Sequence, residues 1–113
     1  MPWAIVVRGR AHGQRVVTGP GQRVASVTDL PGVRHGAIVV VARPMNDLVM
    51  VLERIEGIVA ESGGLLCHPS VVALECGVSY LATEGRVVRF ADGQILRLDP
   101  FEQHLSLLLG SDP

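Results

Sequence analysis

Three things are scarce in this chain, and each scarcity closes off a class of function. The first is charge of one sign: ten basic side chains stand against eleven acidic ones, a formal net charge of -1. No overall basic field points to nucleic acid. The second is apolar length, because no stretch reaches the roughly 18 residues of a membrane span. The apolar residues 3–7 are too few for a signal-peptide core and run straight into Arg8 and Arg10. A cytoplasmic protein, apart from membrane and nucleic acid, is expected. The third is cysteine: Cys67 and Cys76 stand nine positions apart, without the paired spacing of a structural zinc site. No metal is assigned to this chain, and Cys76 is expected to pack at the core or its boundary.

What is present favours a sheet. Hydrophobic residues make up 48% of the chain and valine occurs 18 times among 113 residues, which suits β-structure around a substantial core. A chain this long forms one domain burying about two thirds of its unfolded surface. No internal repeat or dividing linker is present, so residues 1–113 are read as a single domain. Residues 3–8 and 14–17 read as strands, Gly19-Pro20-Gly21 as a turn, and residues 22–27 as a further strand. Residues 38–42 form a continuous apolar strand. A helix is predicted from Asn46 or Asp47 to Glu56, with Leu48, Val49, Val51, Leu52 and Ile55 as its apolar stripe and Gly57 as its stop. Strands are predicted at 58–60, 78–81, 87–90 and 95–98, and a short helical tail within residues 101–113. The sum is an α/β domain with helices packed on sheet.

One segment carries chemistry. In Ser62-Gly63-Gly64-Leu65-Leu66-Cys67-His68-Pro69 a glycine turn leads into a helix start, with proline suited to the first turn and Gly77 to the stop. His68 then stands at the helix mouth, where unpaired backbone N–H groups and the positive end of the dipole can hold phosphoryl oxygens. An imidazole with an ordinary pKa near 6.5 keeps a neutral, nucleophilic nitrogen at neutral pH. From local chemistry alone, a histidine that caps the helix or fills a polar niche stays an open alternative. Gly63, Gly64, Cys67 and Ser70 are the candidate phosphate environment, with Ser70 able to offer a hydroxyl. Glu61 and Glu75 read as solvated, and His12, His35 and His104 as surface or turn residues. Arg8, Arg10 and Arg15 could guide phosphate, but no spacing fixes them near His68.

From Gly36 to Asp99 the chain resembles the phosphohistidine, or mobile swivelling, domain of the phosphoenolpyruvate-utilising enzymes, which include pyruvate phosphate dikinase, phosphoenolpyruvate synthase and the rifampicin phosphotransferases. The likeness is carried by Gly63-Gly64-Leu65-Leu66-Cys67-His68, by the glycine-led strand Gly36-Ala37-Ile38-Val39-Val40-Val41-Ala42, by Arg43-Pro44-Met45-Asn46-Asp47, and by Asp92-Gly93 through Asp99. Arg8-Gly9-Arg10-Ala11-His12-Gly13 is a further match near the start. Pro69-Ser70, Ser79 and Asp99-Pro100 depart from the family pattern. Pro69 removes one amide from a phosphate cradle.

The resemblance implies a swivelling β/β/α fold of three layers built on a mixed sheet, with His68 as the phosphoryl-accepting, catalytic residue. It implies a carrier that is one component of a split, dikinase-like phosphotransferase, since 113 residues leave no room for an ATP-binding module or a phosphoenolpyruvate-binding barrel. No cofactor is expected on this chain alone. ATP and Mg2+ belong to an ATP-grasp-like nucleotide-binding partner, phosphoenolpyruvate (PEP) is an alternative donor, and an acceptor-binding or PEP/pyruvate-binding protein completes the reaction. A homo-oligomer is left open. The competing reading is a catalytically inactive swivelling-fold domain with an interaction or regulatory role.

Overall fold

The computed structural model describes residues 2–111. Eight strands form one mixed sheet: β1 (Trp3–Arg8), β2 (Arg10–His12), β3 (Val17–Val24), β4 (Ile38–Val41), β5 (Gly57–Ala60), β6 (Ser79–Ala82), β7 (Ile95–Asp99) and β8 (His104–Leu108), in the spatial order β1-β8-β7-β3-β4-β5-β6-β2. The one α-helix among the described residues, α1, spans His68–Glu75. This is a mixed α/β unit with few helices.

The sheet has two halves of different character. β3, β4, β5 and β6 run parallel, and β2 closes their far edge antiparallel to β6. β1, β8, β7 and the first part of β3 are antiparallel. Every residue of β4, β5 and β6 is buried, as expected when both faces of parallel strands are covered. Alternation sorts their side chains. Val39, Val41, Ile58, Ala60, Tyr80 and Ala82 join Leu48, Val51 and Ala73 on the helix side. Ile38, Val40, Val59 and Leu81 meet Val7, Val17, Leu96, Leu98 and Leu105 from the antiparallel half.

Several expectations are corrected by these tertiary pairings. The tail is not helical: residues 104–108 form β8, which fills the slot between β1 and β7 and pairs with both. His104 is accordingly buried instead of surface-placed. Gly19-Pro20-Gly21 is no turn but the middle of β3, where the strand exchanges neighbours: residues 17–20 pair with β7, residues 21–24 with β4. A Cβ on Gly19 would collide with the Gly36 carbonyl oxygen, and one on Gly21 would reach Leu96 Cδ1 at 2.5 Å, so these glycines serve close approach. The strand predicted at 14–17 gives way to β2 and to β3 beginning at Val17.

The helix predicted to reach Glu56 is a 3-10 turn over Asn46–Val51, and Gly57 opens β5 instead of stopping a helix. The chain is drawn back to the sheet at once, through Glu56 N–H to the Ala37 carbonyl (2.9 Å) and Gly36 N–H to the Arg54 carbonyl (2.7 Å). Residues 87–90 form no strand, because side chains satisfy the Val88 backbone. The buried Glu61 carboxylate accepts its N–H (2.6 Å), and Arg23 donates to its carbonyl (2.7 Å). Glu61 also pairs with Arg23 at 3.0 Å, so it is a structural ion-pair residue and not a solvated one.

Candidate functional site

The three parallel strands β4, β5 and β6 end together at Val41, Ala60 and Ala82, and the loop 61–67 crosses this carboxyl end before α1 runs back over the sheet. Its start is tied down: Glu61 N–H bonds the Val41 carbonyl (2.9 Å), and Ser62 Oγ bonds that of Ala42 (2.7 Å). Gly63 and Gly64 both hold left-handed backbone, at φ 94° and 64°, a region open to glycine at little cost. A Cβ on Gly63 would sit 2.8 Å from Pro44 Cγ. The loop therefore rests directly on the turn after β4.

The helix begins where the proline permits. Cys67 is the N-cap with extended backbone, Val71 N–H bonds its carbonyl at 3.2 Å, and Pro69 occupies the first turn. His68 is the first helical residue and is exposed. By position, the N–H groups of His68 and Ser70 have no intrahelical acceptor. The thiol of Cys67 makes no capping hydrogen bond; it lies 3.4 Å from the Tyr80 hydroxyl on β6. Burial first, and the neighbouring Cys67 next, push the Tyr80 pKa well above its usual value, so this hydroxyl keeps its proton.

Ser70 faces inward. It is fully buried, and its Oγ lies 2.5 Å from His12 Nε2. The hydroxyl is thus engaged beneath the helix, and only the Ser70 N–H is left at the mouth. His12 sits on β2 opposite Tyr80, with the two rings stacked 5.6 Å apart at 26°. Its Nδ1 is buried without a partner, and burial lowers its pKa from 6.5. The sequence alone suggests a surface or turn residue here, whereas the ring is half-buried on a strand. Its one sequence signal is its place in the Gly9-Arg10-Ala11-His12-Gly13 run. Together, Cys67, Tyr80, His12 and Ser70 bolt the first turn of α1 to the sheet edge.

The remaining candidates separate by position. Gly63, Gly64, Cys67 and His68 come together on one loop and helix start. Arg10 is brought to the same end, lining a recess with Gly63, Gly64, Leu65 and Leu66. Arg15 is held at the opposite end by Glu56 (2.9 Å). Glu75 and Cys76 are exposed at the far end of α1, which places Cys76 outside the core. Among the described residues, no three His, Cys, Asp or Glu side chains cluster as metal ligands do, and no helix is long and apolar enough to cross a membrane.

Comparison with known proteins fits this arrangement. The chain is 32% identical over 91 residues to phosphoenolpyruvate synthase of Pseudomonas aeruginosa, and 32% identical over 85 residues to that of Deinococcus radiodurans. These alignments cover 80% and 75% of this chain but only 12% and 11% of the synthases. Among solved structures, the microcin C7 self-immunity protein MccF superposes with a TM-score of 0.63 at 16% identity, covering 92% of this chain and 42% of that one; this likeness concerns the fold alone. The family described as PEP-utilising enzyme, mobile domain, matches residues 33–103, well over half of the chain and including the whole loop and His68. With the glycine-built loop and its exposed histidine at the helix start, the chain belongs to the family of PEP-utilising enzyme mobile domains.

Proposed function

We propose that this chain is a phosphohistidine carrier of the swivelling β/β/α, three-layer type, loaded on His68. The observation that carries this reading is the position of His68: exposed, first in α1, and beside two N–H groups without intrahelical acceptors. An unprotonated ring nitrogen attacks the donor phosphorus in line. The N–P bond forms as the P–O bond to the leaving group breaks, and the second nitrogen keeps the ring proton. Helix-mouth N–H groups and the dipole then favour the dianionic phosphoryl group. In the second half-reaction an acceptor oxygen takes the phosphorus and the imidazole leaves. The donor is ATP on an ATP-grasp-like partner unit, which also holds Mg2+, or PEP on a PEP/pyruvate-binding unit; both lie outside residues 1–113. The setting is the cytoplasm, where both donors occur, and the chain acts as the carrier component of a kinase-like phosphotransferase.

The test is labelling. The chain is incubated with each donor and the purified donor-binding protein, and intact mass plus site localisation under alkaline conditions follow the phosphoryl group. Label on His68 that disappears on acceptor addition, with none on a folded His68→Ala variant, supports carriage. The second reading, an interaction domain without transfer, is favoured by Pro69, which has no amide to offer, and by the inward hydroxyl of Ser70. It is selected if the wild-type complex forms but is never labelled.

A further inference from the structure

We infer that the carboxyl end of the parallel strands is a docking face for an acidic protein surface, with Arg8, Arg10 and Arg86 as its charged contacts. A groove of about 740 Å³ lies there, lined by these three arginines, Glu84, Leu65 and Gln103 among others. It adjoins the recess formed by Arg10, Gly63, Gly64 and Leu66, so the arginines border the loop that carries His68. The chain as a whole carries a formal charge of -1, yet this groove sets three guanidinium groups against one carboxylate.

The pairing state supports engagement from outside. Among the described residues neither Arg8 nor Arg86 pairs with a carboxylate, and Arg10 holds Glu84 at 3.0 Å with side chains 76% and 60% exposed. Such an exposed pair is worth little and is readily exchanged for another carboxylate. The site is broad and its arginines, exposed at the β1–β2 junction and at residue 86, reach into solvent, which suits an extended acidic surface more than a small enclosed anion. Leu66, 95% exposed and two residues before His68, adds an apolar contact in the adjoining recess. The functional logic rests on the carrier reading: a carrier must find and leave its stations quickly, and exposed ion pairs speed encounter without slowing release.

The probe is a short polyglutamate peptide titrated into the 15N-labelled full chain, with amide shifts read at low and at about 0.3 M salt, where exposed pairs are screened. Shifts should centre on Arg10, Leu65, Thr83, Glu84, Arg86 and Gln103 and vanish at high salt. Arg8→Glu and Arg86→Glu should each weaken binding at least about threefold, while Arg34→Glu, an exposed arginine at the opposite end just before β4, should leave it unchanged. Shifts spread equally to the Arg34 end, insensitivity to both reversals, or inorganic pyrophosphate binding these amides where the peptide does not, would each overturn the inference. The assay involves no phosphorylation: a chain that binds the peptide but is never labelled on His68 refutes the carrier and retains the face.

Discussion

The contact between His12 and Ser70 allows a double-mutant cycle with a definite outcome. In Ser70→Ala the Nε2 of His12 loses its partner while Nδ1 already has none. A buried polar group left unpaired costs about 1–3 kcal/mol, and partial exposure of the His12 ring puts this case near the lower half, about 1–2 kcal/mol. In His12→Leu the Ser70 hydroxyl, at 0% exposure, is stranded under α1 at about 2 kcal/mol. The double variant removes both polar groups and leaves an apolar contact of similar volume, so it should return to within about 0.5–1 kcal/mol of the wild type. The coupling energy is then about 2–3.5 kcal/mol in magnitude. Urea unfolding of the four proteins measures this. Costs that simply add would show that the two side chains do not stabilise each other, and would remove the bolt ascribed to them. The pH dependence supplies a second readout. Burial lowers the folded-state pKa of His12 below 6.5, so the unfolded chain binds more protons as pH falls below that value and stability falls with it. Above 6.5 both states hold a neutral ring and the contribution is level. This acid-side slope should be smaller in His12→Leu.

Other outcomes follow from single features. Glu61→Ala strands the Val88 N–H and the partly exposed Arg23 guanidinium, and should cost about 2–3 kcal/mol with accelerated amide exchange at Val88. Gly63→Ala forces a side chain into left-handed backbone against Pro44; thermal unfolding should register a loss of about 1–2 kcal/mol, and His68 labelling should slow more than in Gly64→Ala, which meets no neighbour. Removing residues 104–113 takes away β8 and both its ladders, so the truncated chain should lose its cooperative thermal transition. Leu66→Ser should leave the unfolding midpoint unchanged, since the side chain is 95% exposed.

Where a segment's structure follows from its own covalent chemistry, the sequence by itself determined it. Two glycines that accept left-handed backbone, an N-terminal proline, and Gly77 after the last turn bounded α1, because each acts within a few residues of itself. The continuous apolar run of β4 likewise announced a strand buried on both faces. Family membership was legible in that same loop. Tertiary structure decided the rest. The sequence of β8 alternates too weakly to choose between helix and strand, and its state is fixed by an open slot between β1 and β7. Gly19-Pro20-Gly21 carries turn residues, but it crosses from one ladder to another under close backbone contact. Residues 87–90 have a strand's composition, yet two side chains distant in sequence satisfy the Val88 backbone. The site divides in the same way. His68 and its loop are local, whereas the burial of His12 against Ser70 and the placing of Arg10 beside the loop depend on β2 pairing with β6. Spacing along the chain carries no trace of that contact, because a strand partner is chosen by the edge left free once the other strands have packed.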